Sequence, residues 1–155
     1  MGPFGEELRD FLIAAQQHGL RVLLVDGGAV NFHGYQRQSA DIDLWVDPTP
    51  ANFDRLLATL KSLGYSLEEL PEAVIRQEQN ISINLSPDLE LELITRFDPG
   101  KSFEEAWAAS ELTELAGEPV AINRVLGFDD LVSSKVRAGR PKDLLDIQEL
   151  QRRRR

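Results

Sequence analysis

The sequence predicts an α+β fold: a mixed β-sheet with helices packed mainly on one face and a pair of helices at the C-terminal end. Three observations predict it. Segments 81–85 and 89–94 alternate apolar and polar residues on either side of a Ser86, Pro87, Asp88 turn, as a hairpin does. Segments with apolar residues at helical spacing intermingle with these strands instead of following each one in regular βα order. The chain has 155 residues, of which 42% are hydrophobic, enough for one core in a single domain spanning residues 1–155.

The elements follow in order. Leu8, Phe11, Leu12 and Ala15 mark a helix over 6–18 that stops before Gly19. Residues 21–25 form a short β-rich run, and 29–33 a short helix with Gly34 as its stop. A second strand covers 42–46. After Pro48 and Pro50, the positions of Phe53, Leu56, Leu57, Leu60 and Leu63 define an amphipathic helix that ends at Gly64. Residues 65–67 and 74–76 read as short strands, ahead of the hairpin over 81–94. A helix over 103–109 and a short strand over 120–122 come next. Two helices, 128–136 and 142–150, close the chain around the Ala138, Gly139, Arg140, Pro141 break.

Composition narrows the function. The absence of cysteine excludes thiolate nucleophiles, thiolate metal sites and disulfides. No apolar run reaches the roughly 18–20 residues of a membrane span. Acids at Glu6 and Glu7 precede the first apolar segment where a signal peptide would be basic, so the expected location is the cytoplasm. The net charge of -9 repels polyanions on average. Its distribution is uneven: residues 135–155 carry +5 and residues 1–134 carry -14. The four terminal arginines read as a solvated tail.

Segment 22–46, VLLVDGGAVNFHGYQRQSADIDLWV, carries the chemistry. Gly27 and Gly28 stand where a strand turns into a helix. Lacking Cβ atoms, they allow close backbone approach by a ligand, and the helix N–H groups beyond them suit phosphate. Asp41 and Asp43 are two apart at the start of a strand, so they share a face. Adjacent like charges need compensation, which a hard divalent cation such as Mg²⁺ supplies together with substrate phosphates. Aspartyl-nucleophile phosphatases also use Asp-x-Asp, but after the hydrophobic strand; here the pair precedes it. A third acid comes from the segment DLELELIT. Glu90 and Glu92 share one strand face, opposite Leu89, Leu91 and Leu93.

This constellation resembles the nucleotidyltransferase superfamily with the DNA polymerase β-like fold, above all its small bacterial minimal members and the abortive-infection toxin type. Gly27 and Gly28 match the family's glycine pair, and Asp41 and Asp43 its metal-binding pair. His33, Gly34, Arg37 and Ser39 match an "HG..R.T.DID" run, with Ser in place of Thr. Lys135, Arg140, Lys142, Asp143 and Asp146 match a C-terminal "K..A.R.KD..D" signature. Glu92 falls where relatives carry a third Asp; Glu90 and Asp88 are the alternatives.

The resemblance implies a Mg²⁺- or Mn²⁺-dependent transfer of a nucleoside monophosphate from an NTP to a hydroxyl of an RNA end (possibly a tRNA), a protein or a small molecule. Asp41, Asp43 and Glu92 would be its metal ligands and catalytic acids. Gly27, Gly28, Arg37, Ser39, Lys135, Arg140 and Lys142 would bind substrate, with Asp143 holding a cation and Asp146 structural. An antitoxin-type protein partner belongs to the same expectation. The alternative is a catalytically silent member of the fold that binds nucleotide or a protein, which the Glu at position 92 and the short chain favour. Asp26 reads as an anchor for the glycine turn, Trp45 as a platform for a base, Trp107 as core, and His18 and His33 as solvated or packing residues.

Overall fold

Alternation along β2 (Asp41–Val46) and β4 (Leu89–Ile94) sets the two faces of the sheet. The coordinates are a computed structural model that describes residues 5–26, 29, 33, 41–87, 89–114 and 122–153, with the backbone alone at 5–7, 41, 86, 113–114 and 122–123. The other strands are β1 (Val22–Val25), β3 (Ile81–Ser86), β5 (Glu111–Glu114) and β6 (Ile122–Val125). They form one six-stranded sheet in the order β3-β4-β2-β1-β6-β5. Antiparallel pairs β3–β4, β2–β1 and β6–β5 are joined through parallel pairs β4–β2 and β1–β6, so the sheet is mixed as expected.

One face is apolar across β1, β2 and β4. Val22, Leu24, Ile42, Leu44, Val46, Leu91 and Leu93 share it through the strand register, and all are buried. Helix α1 (Gly5–Gln17) places Leu8, Phe11, Leu12 and Ala15 in the core, and Gly19, at φ +69°, ends it. Helix α2 (Pro50–Ser62) starts with the Thr49 hydroxyl accepting from the Asn52 N–H and with proline in the first turn. α1 touches both α2 and β3. Because the far side of β3 shows exposed Ser82 and Asn84, the helix pair lies on the apolar face.

The opposite face divides along β2. At Trp45 it is roofed by Phe97 and by α4 (Phe103–Ala108), with ring centroids 5.2 Å and 4.9 Å from the indole. Ser102 and Glu105 close α4 with a capping box. Around Asp43, Glu90 and Glu92 it is only half-buried. Helices α5 (Phe128–Ala138) and α6 (Pro141–Arg153) form the closing pair, turned by Gly139 at φ +64°.

Three expectations need correction. Residues 65–67 form no strand, and Tyr65 is exposed. The segment around Val74 is a single helical turn, α3 (Glu72–Ile75), because Pro71 opens it and Arg76 and Gln77 close it with backbone bonds to Glu72 and Val74. The strand expected over 120–122 has residues 120–121 outside the described residues and continues as β6 from Ile122 to Val125, while β5 is a strand the sequence does not predict. Of the short helix at 29–33, only Ala29 and His33 are described; the His33 N–H donates to the Ala29 carbonyl at 3.0 Å, the spacing of a helical turn.

Candidate active site

β1 and β2 run antiparallel with Val25 opposite Asp43, so the end of β1 meets the start of β2. The next residue, Asp26, has φ +55°. Gly27 and Gly28 follow it and lie outside the described residues, as do Arg37, Ser39 and Asp88.

The parallel register between β2 and β4 aligns Asp41 with Glu90 and Asp43 with Glu92. Aligned residues in a sheet share a face. Four carboxylate residues therefore occupy neighbouring positions on the half-open face, with Asn84 and Ser82 of β3 flanking Glu90 and Glu92. Like charges on paired strands repel, by up to roughly 1 kcal/mol per pair at a surface. The carboxylates of Glu90 and Glu92 make no hydrogen bond or ion pair among the described residues. Three carboxylate oxygen donors suit a hard divalent cation, so Asp41, Asp43 and Glu92 fit Mg²⁺ or Mn²⁺ in donor chemistry. Among the described side chains, which exclude that of Asp41, no three acids or histidines already stand as a metal cage.

A second charged group lies behind the same end of β1. The Lys135 side chain is 3% exposed, and its ammonium donates to the Asp26 carboxylate. The same nitrogen lies 3.3 Å from Asp143 Oδ1 and 3.1 Å from Asp146 Oδ2. Burial alone would lower the lysine pKa, but the bonds and charges of Asp26 and Asp146 outweigh it and hold it above its usual value. Asp143 accepts from Arg140 through Nε at 2.6 Å, Nη2 at 3.2 Å and the backbone N–H at 3.1 Å. Burial would raise the Asp143 pKa; Arg140 and Lys135 win, and it lies below the usual carboxylate range. The Asp143 hydrogen bond raises Arg140 in turn.

The expected substrate cations thus sit in different settings. Lys135 is buried among three carboxylates of its own chain, Arg140 is half-exposed while holding Asp143, and Lys142 is exposed. Asp146 is buried against Lys135. Trp45 is a correction: it is 4% exposed under Phe97 and Phe103, so no base reaches its faces. Trp107 stacks on Phe103, and the guanidinium groups of Arg21 and Arg124 lie 4.5 Å and 4.7 Å from its ring centre. His33 Nε2 lies 2.9 Å from the Leu126 carbonyl, with its ring edge-on to Phe128, which makes it a packing residue. His18 is half-buried, with Nδ1 2.9 Å from the Ala14 carbonyl.

No family model matches the chain, and no curated protein matches it. Solved structures do. The fold is that of a nucleotidyltransferase. The crystal structure of ANT(2″)-Ia in complex with adenylyl-2″-tobramycin superposes with a TM-score of 0.55 at 17% identity, covering 92% of this chain and 84% of that one. At this identity the likeness concerns the fold, and it agrees with the mixed sheet and helices described above. Among the described residues, no helix is long and apolar enough to cross a membrane.

The link that sequence reasoning missed is the tie between Asp26 and Lys135. Part of its signal was present. Asp143, Asp146 and Leu150 recur at helical spacing, and all three are buried, so the acids lie on the core stripe of α6.

Proposed function

We propose that the chain is a Mg²⁺- or Mn²⁺-dependent nucleotidyltransferase that moves a nucleoside monophosphate from an NTP to a hydroxyl acceptor. The observation that carries this reading is the β2–β4 register. It brings Asp41 and Asp43 beside Glu90 and Glu92 on a half-open face, next to the end of β1 that leads into Gly27 and Gly28. Asp41, Asp43 and Glu92 would hold the metal, which when bound draws charge from the phosphate oxygens and the leaving pyrophosphate. The glycine pair admits the triphosphate close to the backbone. Arg37, Ser39, Arg140 and Lys142 bind substrate charge or hydrogen-bond to it. Glu92 takes the acceptor hydroxyl's proton as its oxygen bonds to the α-phosphorus and the bond to pyrophosphate breaks.

The structural neighbour was crystallised with an adenylylated small molecule. That makes a small-molecule hydroxyl the first acceptor class to test, ahead of an RNA end or a protein hydroxyl, and the chain's net charge of -9 disfavours a polyanionic acceptor. The second reading is a silent member of the fold that binds nucleotide or a protein partner, an antitoxin-type one included. The buried carboxylate partners of Lys135 favour it, since they take that cation away from a substrate role.

Calorimetry with Mg²⁺ and each of the four NTPs, on the wild type and on Asp41→Asn/Asp43→Asn, tests the reading. Binding by the wild type alone supports a metal-nucleotide site, and labelled NTP then identifies acceptors. Failure of the wild type to bind any NTP overturns it.

A further inference from the structure

Asp26 is one of two described non-glycine residues with positive φ. That conformation is disfavoured for side-chain-bearing residues, though Asp and Asn tolerate it better than most. Asp26 stands directly after β1, one residue past Val25, the partner of Asp43. Its carboxylate accepts from the Lys135 ammonium, which two further carboxylates, Asp143 and Asp146 of α6, also contact. Asp143 is itself fixed by three bonds from Arg140. A chain of charged contacts therefore runs from the α5–α6 turn to the residue at which the backbone leaves β1. Every member except Arg140 and Asp26 is essentially out of contact with water.

We infer that Asp26 and Lys135 are a positioning pair. Through it the C-terminal helices fix the backbone at the end of β1, directly before the glycine pair that the nucleotidyltransferase reading assigns to the triphosphate. The inference rests on the nucleotidyltransferase reading above for its phosphate and on the described geometry for the tie. Lys135 touches no substrate in this account. It acts through Asp26: its ammonium contacts Asp26 on one element and Asp143 and Asp146 of α6 on the other.

The test uses the full chain and three variants. Asp26→Ala removes both the ion pair and the tolerance of positive φ. Asp26→Asn removes the charge but keeps that tolerance. Lys135→Met removes the ammonium from the helix side; should it fail to fold, the two Asp26 variants carry the test, because that side chain is 25% exposed.

Amide hydrogen exchange over the peptide from Val25 to Ala29 is read against peptides from α1 and α2. Mg²⁺-dependent binding of a non-hydrolysable NTP is read by calorimetry, alongside Mn²⁺ binding without nucleotide. Asp26→Ala is expected to speed exchange in that peptide about tenfold while α1 and α2 keep theirs. It should also weaken the NTP about tenfold, or about 1.4 kcal/mol. Mn²⁺ affinity should hold, and Asp26→Asn should fall between it and the wild type. Unchanged exchange in Asp26→Ala overturns the tie, whatever the NTP does. Faster exchange with unchanged NTP affinity overturns positioning and leaves the nucleotidyltransferase reading standing. If the wild type binds no NTP, the functional reading falls and takes phosphate positioning with it.

Discussion

β1 is anchored by charge at both ends, and the two anchors sit in different surroundings. At its start, Arg21 reaches Asp47 at 3.2 Å and Glu104 at 2.7 Å while its guanidinium lies over Trp107 and Phe103. Asn52 bonds the backbone of both Arg21 and Asp47, so this corner fastens the start of β1 to the end of β2. The Arg21 side chain keeps 26% exposure and Glu104 is open to water. At the other end, Lys135, Asp143 and Asp146 are almost fully buried. A charge near water keeps part of its hydration if a partner is lost, whereas a buried one regains none. The start of β1 is a stiff structural corner under an aromatic roof. Its far end combines a buried charge cluster with the half-open carboxylate face.

The largest expected effect separates these anchors by stability. Lys135→Met leaves Asp143 and Asp146 without their shared cation and should cost about 3–5 kcal/mol. Arg21→Met should cost only about 1–3 kcal/mol, since the Arg21 guanidinium is already partly hydrated and Asn52 holds the backbone of Arg21 and Asp47 without it. Urea denaturation of both variants checks the ranking, and equal losses would break the comparison.

Much of the fold was legible because it depends on local pattern. Alternation in ISINLS and LELELI announced the hairpin, and the spacing of Leu8, Phe11, Leu12 and Ala15 announced α1. β5 was not legible. Its sequence, ELTE, offers one apolar side chain, Leu112, which is 60% exposed, and only pairing with β6 makes it a strand. α3 misled in the other direction: Val74 and Ile75 favour a strand, but Pro71 and tertiary packing set a turn of helix. In the candidate site the Asp-x-Asp pair was readable from one strand, while the Asp26–Lys135 contact joins residues 109 apart and has no local periodicity to reveal it.

The next effect sharpens the comparison along β2, whose two ends also carry buried or half-buried acids. Asp43→Asn should lower nucleotidyl transfer by more than the roughly 10–100-fold typical of losing an outer partner of a metal site. Its melting temperature should move by only a few degrees, because Asp43 is half-buried and not part of the core. Asp47→Asn, at the aromatic end, should leave turnover intact. Labelled-NTP transfer assays on both proteins read this contrast, and equal losses of turnover would show that the two ends do not divide the labour.

Acid should distinguish the same two ends more gently. Asp143 has a lowered pKa in the fold, so its contribution is complete above the unfolded carboxylate value of about 3.9 and is lost as pH falls below it. Asp47 shifts the other way: burial raises its pKa despite Arg21, so its protonation favours the fold as pH falls toward about 3.9. Stability measured in urea between pH 7 and pH 3 should therefore fall less steeply below about pH 3.9 in Asp143→Asn than in the wild type. An identical slope in both proteins would remove Asp143 from the acid response.

The smallest effect concerns how the buried anchor is assembled. Gly139 sits at φ +64° directly after α5, and its N–H donates to the Lys135 carbonyl at 2.9 Å. It thereby ends the helix that carries Lys135 and begins the turn that brings Asp143 back toward it. A Cβ here would find room, its nearest contact being the Val136 carbonyl at 3.6 Å, so the obstacle is the left-handed backbone itself. Gly139→Ala should cost about 1 kcal/mol, and Gly139→Asn less, because Asn accepts this conformation more readily. Both variants should lose helix stability before they lose the ion cluster. A cost near that of Lys135→Met would instead mean that the turn and the cluster form as one cooperative unit, and a double-mutant cycle between positions 135 and 139 would measure that coupling.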